Sequence, residues 1–240
     1  MTALPGGWAA SLAAILGGVA LGAAAMAGWY SWRGPDRAAT EAIVRDYVLN
    51  HGEILPEAMK RTQDRQAAAS VSRHRSALET PYHGAWAGAA DGDVVLVEFF
   101  DYACPYCRET NADVDRLIAE DPRLKVVWRE LPVLGPNSEA AANVSLAAAR
   151  QGRFRQFHAR LFALGRPTQA TLAQAMAEAG VSAEAQSPAA RAELARNIEL
   201  ARAMEASGTP TFVVGDQVLQ GAVGYDALKA AIAAARGSRS

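Results

Sequence analysis

Cysteine is almost absent from this sequence: 240 residues carry two, Cys104 and Cys107. A secreted disulfide scaffold needs more, so the fold must rest on a packed core. Net charge is almost absent too. The 24 Lys and Arg nearly cancel the 25 Asp and Glu, leaving −1. No Lys/Arg block suggests an anionic surface as partner, and nucleic acid is not expected. His51, His74, His83 and His158 show no spacing that would complete a zinc site with two cysteines. No internal repeat is found. Half the residues are hydrophobic, which suits one domain of ordinary size with appendages, or two small ones. Abundant alanine predicts more helix than strand.

Charge is also missing from the stretch Trp8 to Tyr30, where Ala, Leu, Gly, Ile, Val and Met dominate. A run of this length can span a bilayer. Trp29, Tyr30 and Trp32 cluster at its end, where aromatic rings favour the membrane interface, and Arg33 closes it. Ala25-Met26-Ala27 resembles a signal-peptidase site. Residues 1–32 therefore read as a signal peptide or an uncut membrane anchor, and the length favours the anchor. The stretch has no polar face, which argues against a buried core helix. Taken alone, the positive-inside rule places Arg33 and Arg37 in the cytoplasm. The redox chemistry argued below instead puts the rest of the chain in an oxidising compartment.

Gly34-Pro35 marks a linker, and Thr40 is a candidate cap for a helix over Glu41 to about Asn50. After a break at His51-Gly52, a second helix is predicted from about Leu55 to Ser76, with Pro56 in its first turn. Residues 33–78 form a helical stalk whose single apolar stripe cannot make its own core. It needs a partner surface, either the main domain or another copy.

Residues 79–91 read as loop. Asp93-Val94-Val95-Leu96-Val97-Glu98-Phe99-Phe100 is a near-continuous apolar run with β-branched residues, the pattern of a buried central strand. Cys104-Pro105-Tyr106-Cys107 follows, then a helix, then a second strand over Leu124–Glu130. That is a right-handed β-α-β unit with parallel strands. Helices follow from Ser138 to about Ala179 and from Ala189 to Ala206. Thr211–Val214 and Gln217–Gln220 around Gly215-Asp216 form a β-hairpin, and Tyr225 to Arg236 a closing amphipathic helix. The order is that of an α/β thioredoxin fold with a helical insertion over about 138–206. The domain spans 79–240.

Cys104 is placed at a helix N-terminus. There unpaired backbone N–H groups and the helix dipole stabilise an anion such as a thiolate. Cys107, one turn on, faces the same side and can close a disulfide. Cys104 is thus expected to attack, and Cys107 to resolve the mixed disulfide. Two thiolates alone can also hold Cu(I). His158 is read as a packing or helix-surface residue, and Arg150, Arg153, Arg155 and Arg160 as a solvated face.

The segment Glu98-Phe99-Phe100-Asp101-Tyr102-Ala103-Cys104-Pro105-Tyr106-Cys107 resembles the active-site segment of bacterial DsbA-family thioredoxin-like proteins. Ser207-Gly208-Thr209-Pro210-Thr211-Phe212-Val213 resembles their cis-proline loop, and the helices between resemble the DsbA-type insertion. The stretch Glu41–Gln66 resembles, more weakly, the stalk of ScsC-like members, which oligomerise and shuffle disulfides. The resemblance implies that Pro210 is cis and packs against the disulfide, with Thr209 pairing its backbone with an extended substrate; an ordinary trans proline is the alternative. It also implies that Glu98 is a buried acid able to take a proton from Cys107, the alternative being a strand-end Glu that reaches solvent.

These residues predict an extracytoplasmic thiol–disulfide oxidoreductase, leaning to isomerase, with no cofactor or metal. It is expected in the periplasm, tethered through residues 8–30. Its partners would be cysteine-containing substrate proteins, a membrane redox protein that recharges it, and further copies of itself, as a trimer, through residues 40–66. The alternatives are a DsbA-type oxidase, a copper-related thiol module without turnover, and a cytosolic enzyme of glutathione chemistry, which the apolar N-terminus argues against.

Overall fold

The computed structural model describes residues 7–32, 36–182 and 187–237, and side chains within 15–29, 36–182 and 187–237. Arg33, Gly34 and Pro35 of the expected linker lie outside the described residues, as do the side chains of Trp8, Tyr30 and Trp32. The chain divides into two compact units, residues 1–61 and 62–240.

The first unit holds α1 (Gly7–Trp32), α2 (Arg37–Asn50) and the start of α3 (Ile54–Glu79). Among the described residues, no helix is long and apolar enough to cross a membrane. Helix α2 begins four residues before the expected start. Asp36, rather than Thr40, caps it, its carboxylate accepting the Ala38 N–H at 3.1 Å. No residue of α2 is buried. Ile43, Val44, Tyr47 and Leu49, then Leu55 and Met59 of α3, are all exposed.

The second unit contains the remainder of α3. Mostly polar in sequence, it still buries Val71 and Leu78 against Val95, Val97 and Phe99 of the sheet, together with Leu200 and Met204. The Ser70 hydroxyl donates to the Ala203 carbonyl at 2.6 Å. This half of the expected stalk thus finds its partner surface in its own chain. Arg129, fully buried, closes the helix end. It donates to the carbonyls of Leu78 at 3.1 Å and Thr80 at 2.7 Å, and to Glu193 at 3.0 Å and Asn197 at 2.9 Å. Removing one partner of such a buried ion pair costs about 3–5 kcal/mol.

The sheet runs β1 (Trp86–Gly88), β3 (Leu124–Glu130), β2 (Val94–Phe100), β4 (Thr211–Val214), β5 (Gln217–Gln220) in space. Strands β2 and β3 are parallel, and the other neighbours antiparallel. All seven residues of β2 are buried, because helices cover both faces. On one face lie α4 (Pro105–Glu120), α9 (Tyr225–Gly237) and the inserted α5 (Pro136–Arg150), α6 (Phe154–Leu164) and α7 (Gln169–Ala179). On the other lie α3 and α8 (Pro188–Ala203).

The segment read as loop over 79–91 contains β1. Three residues are too few for a periodic signal, and the strand exists because it completes the β3 edge, Trp86 opposite Val127. It ends at Gly88, φ +85°, where a Cβ would collide with the Leu124 carbonyl.

Candidate redox site

Parallel pairing of β2 with β3 sends α4 back across the sheet, so its N-terminus sits just beyond the end of β2. Cys104 is the N-cap of that helix and Pro105 its first residue. Both cysteines are free and both are buried, Cys104 at 4% exposure and Cys107 at 0%. The Cys104 thiol donates to the Thr209 carbonyl at 3.1 Å. The Thr209–Pro210 peptide bond is cis, and Pro210 is buried. Cys107 lies one turn inward. Burial above all, then the neighbouring Glu98, pushes its thiol well above the ordinary range.

Glu98 is fully buried on β2, directly opposite Trp128 of β3. Its Oε2 accepts the Trp128 Nε1–H at 2.9 Å, and its Oε1 has no partner among the described residues. Burial raises its pKa to about 8; the Trp128 hydrogen bond opposes the shift and Asp115 adds to it. The alternative of a strand-end Glu in solvent is not what the fold holds.

The loop between β2 and α4 is pinned by Asp101. One carboxylate oxygen accepts the Ala103 N–H at 2.8 Å; the other accepts those of Val133 and Leu134 at 2.9 and 3.0 Å. Val133, Leu134 and Tyr106 are exposed. The residues 95–233 match the family model of the DSBA-like thioredoxin domain. The chain belongs to the DsbA-like thioredoxin family. A second model, the copper resistance protein ScsC N-terminal domain, matches residues 36–69.

A Proteus mirabilis ScsC variant shares the fold at TM-score 0.71 and 28% identity, covering 87% of this chain and 100% of that one. A periplasmic thioredoxin-like protein of Salmonella enterica serovar Typhimurium matches at TM-score 0.64 and 28% identity, over 68% and 95%. The Na(+)/H(+) antiporter NhaA 3 of Salinispora tropica is 30% identical over 156 residues, 62% of this chain. The chain spans about a quarter of the length of the curated relatives it first matches: 24% of that antiporter.

The DsbA-like domain thus brings Glu98, Cys104, Cys107, Thr209 and Pro210 to one end of its sheet. Two contributors were not visible in the sequence. Trp128 read only as a strand residue, since its partnership with Glu98 depends on the β2–β3 register. Asp101 lies in the family-like segment, but its Val133 and Leu134 amides come from the loop after β3. Tyr102 is likewise buried, its hydroxyl 2.8 Å from Ser145 and 3.3 Å from His158 Nδ1. His158 is a packing residue, set among Phe100, Trp128, Phe154 and Phe162.

Asp101→Ala should leave three backbone N–H groups without their acceptor. The expected result is a loss of about 2 kcal/mol in urea unfolding, together with faster proteolysis at the 131–135 loop. Unchanged stability would show that the three bonds carry no net weight.

Proposed function

We propose that this protein is a thiol–disulfide oxidoreductase of the DsbA/ScsC type, acting outside the cytoplasm on cysteine-containing proteins and leaning to disulfide isomerisation. The observation that supports it most is the seating of Cys104 at the N-cap of α4, against the Thr209 carbonyl, with Cys107 buried behind it beside a protonatable Glu98.

In isomerisation the Cys104 thiolate attacks a substrate disulfide. One substrate sulfur leaves as thiolate, and the other is held in a mixed disulfide until a further substrate thiolate displaces Cys104. The balance of disulfides is unchanged. If the substrate stalls, Cys107 gives its proton to ionised Glu98 and attacks Cys104 Sγ. The substrate is released reduced, and the protein is left oxidised. In oxidation the order reverses: a substrate thiolate opens the Cys104–Cys107 disulfide at Cys104 Sγ, Cys107 departs as a thiolate that takes the Glu98 proton, and a second substrate thiolate displaces Cys104, leaving the substrate with the disulfide and the protein reduced. A redox protein of the membrane is the partner that restores the starting state. Thr209 offers main-chain groups to an extended substrate beside Cys104.

The localisation rests on the apolar α1 and on likeness to a protein described as periplasmic. Residues 1–32 are read as signal or anchor and 79–240 as the catalytic domain; of the expected stalk 33–78, the part up to about residue 61 is read as stalk, and the rest of α3 packs on the domain. The apolar residues Ile43, Val44, Tyr47, Leu55 and Met59 stand exposed along α2 and early α3, in the segment matched by the ScsC N-terminal domain. Contact between copies through residues 40–66 would cover them, as a trimer.

Deletion of residues 37–68 tests this. The full soluble protein is expected to run as an oligomer in light scattering. The shortened one should be a monomer that oxidises dithiols at the same rate but refolds scrambled ribonuclease about tenfold more slowly, since shuffling gains from several sites on one substrate. A full-length monomer, or a shortened protein that isomerises at full rate, would overturn the stalk's role. A second reading, Cu(I) held by the two thiolates, draws on the copper-resistance description of the matched N-terminal domain. Stoichiometric Cu(I) binding without any insulin reduction would favour it.

A further inference from the structure

A cavity of about 350 Å³ lies between α4 and α6, and the chemistry above does not use it. One wall is Arg108, Asn111 and Asp115; the other includes Arg155, His158 and Phe162. Positions 108, 111 and 115 share one face of α4. The same face leads back to Cys104, whose carbonyl accepts the Arg108 backbone N–H at 3.3 Å. The first residue of this wall therefore lies one helical turn along α4 from Cys104.

Its charges are not balanced. Arg155 pairs with Asp115 at 2.8 Å, its guanidinium 4.7 Å from the centre of the Trp128 ring. His158 is buried, and desolvation, with Arg155 nearby, holds it well below the ordinary imidazole range. It adds no positive charge; its Nε2 sits 3.4 Å from Asn111 Oδ1. Arg108 remains. Its Nε–H is shielded from solvent and has no acceptor among the described residues. That N–H is closed to a ligand as well, but half-buried Arg108 still lines the cavity with no acidic partner among the described residues, and a carboxylate is the group a guanidinium fork matches best.

We propose that this cavity is a subsite for a carboxylate carried by the substrate near its reacting cysteine, with Arg108 as the specificity-determining residue. The inference rests on the oxidoreductase reading and adds to it a substrate preference. The cavity accepts the end of one acidic side chain, not a folded segment. Asp115, already paired with Arg155, does not repel it fully but lowers its affinity.

The probes are cysteine peptides in mixed disulfide with a chromophoric thiol, carrying one Glu scanned along the residues flanking the cysteine. Each is matched by its Gln counterpart. At low salt the best Glu peptide is expected to exceed its counterpart about fivefold in kcat/KM, roughly the worth of one partly shielded ion pair. Arg108→Gln should bring that ratio near one, and Asp115→Asn should raise it. Each ratio is taken within one protein, so a general change in activity cancels. A preference that survives excess acetate at constant ionic strength assigns the subsite to the peptide's own carboxylate. A preference that acetate erases shows that free small carboxylates occupy it too. Equal turnover of both peptides by the unsubstituted protein, or an unchanged ratio in Arg108→Gln, overturns the subsite and leaves the oxidoreductase reading standing. If neither peptide is turned over, that reading fails. The subsite is then judged by whether the Glu peptide alone shifts the Arg108 and Arg155 side-chain N–H signals in NMR.

Discussion

Replacing Cys104 with Ser is expected to abolish both insulin reduction and refolding of a scrambled substrate, by roughly a thousandfold or more. Replacing Cys107 should instead trap substrates in stable mixed disulfides. The asymmetry follows from position. Cys104 occupies the N-cap, at the end of a helix whose dipole favours an anion, and its thiol donates to the Thr209 carbonyl. Cys107 has no exposed surface, and burial beside Glu98 holds its thiol protonated at neutral pH. It cannot start an exchange, but it can finish one, because a mixed disulfide on Cys104 lies within its reach. Iodoacetamide titration of the reduced protein, followed by mass mapping, checks the order. Alkylation should fall on Cys104, with Cys107 slower by about a hundredfold. Cys107 reacting first at any pH between 6 and 8 would reverse the assignment of attacker and resolver.

Glu98→Gln is expected to stabilise the reduced protein in alkaline solution while slowing its chemistry. Burial raises the folded-state pKa of Glu98 to about 8, against an ordinary value of 4.5. Below pH 4.5 the carboxyl is protonated folded or unfolded, so its full contribution to stability is present. Between pH 4.5 and 8 the unfolded chain releases this proton and the folded one keeps it. Stability then falls by about 1.4 kcal/mol per pH unit, on the order of 4 kcal/mol over the window. Gln does not titrate and can still accept the Trp128 N–H, so this slope should vanish. Urea unfolding under reducing conditions at pH 5 and pH 8 measures it. Curves that stay parallel for the two proteins would show that Glu98 is not held neutral. In catalysis the sign is opposite. Only ionised Glu98 takes the Cys107 proton, so release of a mixed disulfide should quicken about tenfold per pH unit up to pH 8 and then level. In Glu98→Gln this inflection should be absent and release at pH 8 slower by at least about tenfold. A profile unchanged by the substitution would remove Glu98 from the proton path.

The elements that carry the site were legible because their signals are local. Strand β2 announces itself by seven consecutive apolar or β-branched positions broken only by Glu98. The hairpin of β4 and β5 does so by Gly215-Asp216 between two short runs. The redox pair is marked by its spacing and by Pro105. Helix α2 was legible in type but not in its start, since Asp36 and Thr40 are both good caps and only the backbone path chooses between them. The second half of α3 shows the opposite case. Its two anchoring residues, Val71 and Leu78, are seven apart in a polar segment, too sparse to reveal that the helix docks on the domain.

By itself, then, the sequence determined the order of strands and helices apart from β1, the placing of Cys104 and Cys107 at a strand-to-helix junction, and the resemblance to the DsbA-like family. Those depend on hydrophobic period, turn chemistry and spacing, all contained within a few residues of one another. Tertiary structure alone decided that Glu98 faces Trp128, that Asp101 gathers amides from 32 and 33 residues away, and that Arg108 opens onto a cavity shared with α6. Each of these is a relation between segments that meet only when the sheet pairs and the insertion folds over α4. A buried carboxyl's proton affinity is set by the groups that surround it in space, which its neighbours in the chain do not specify.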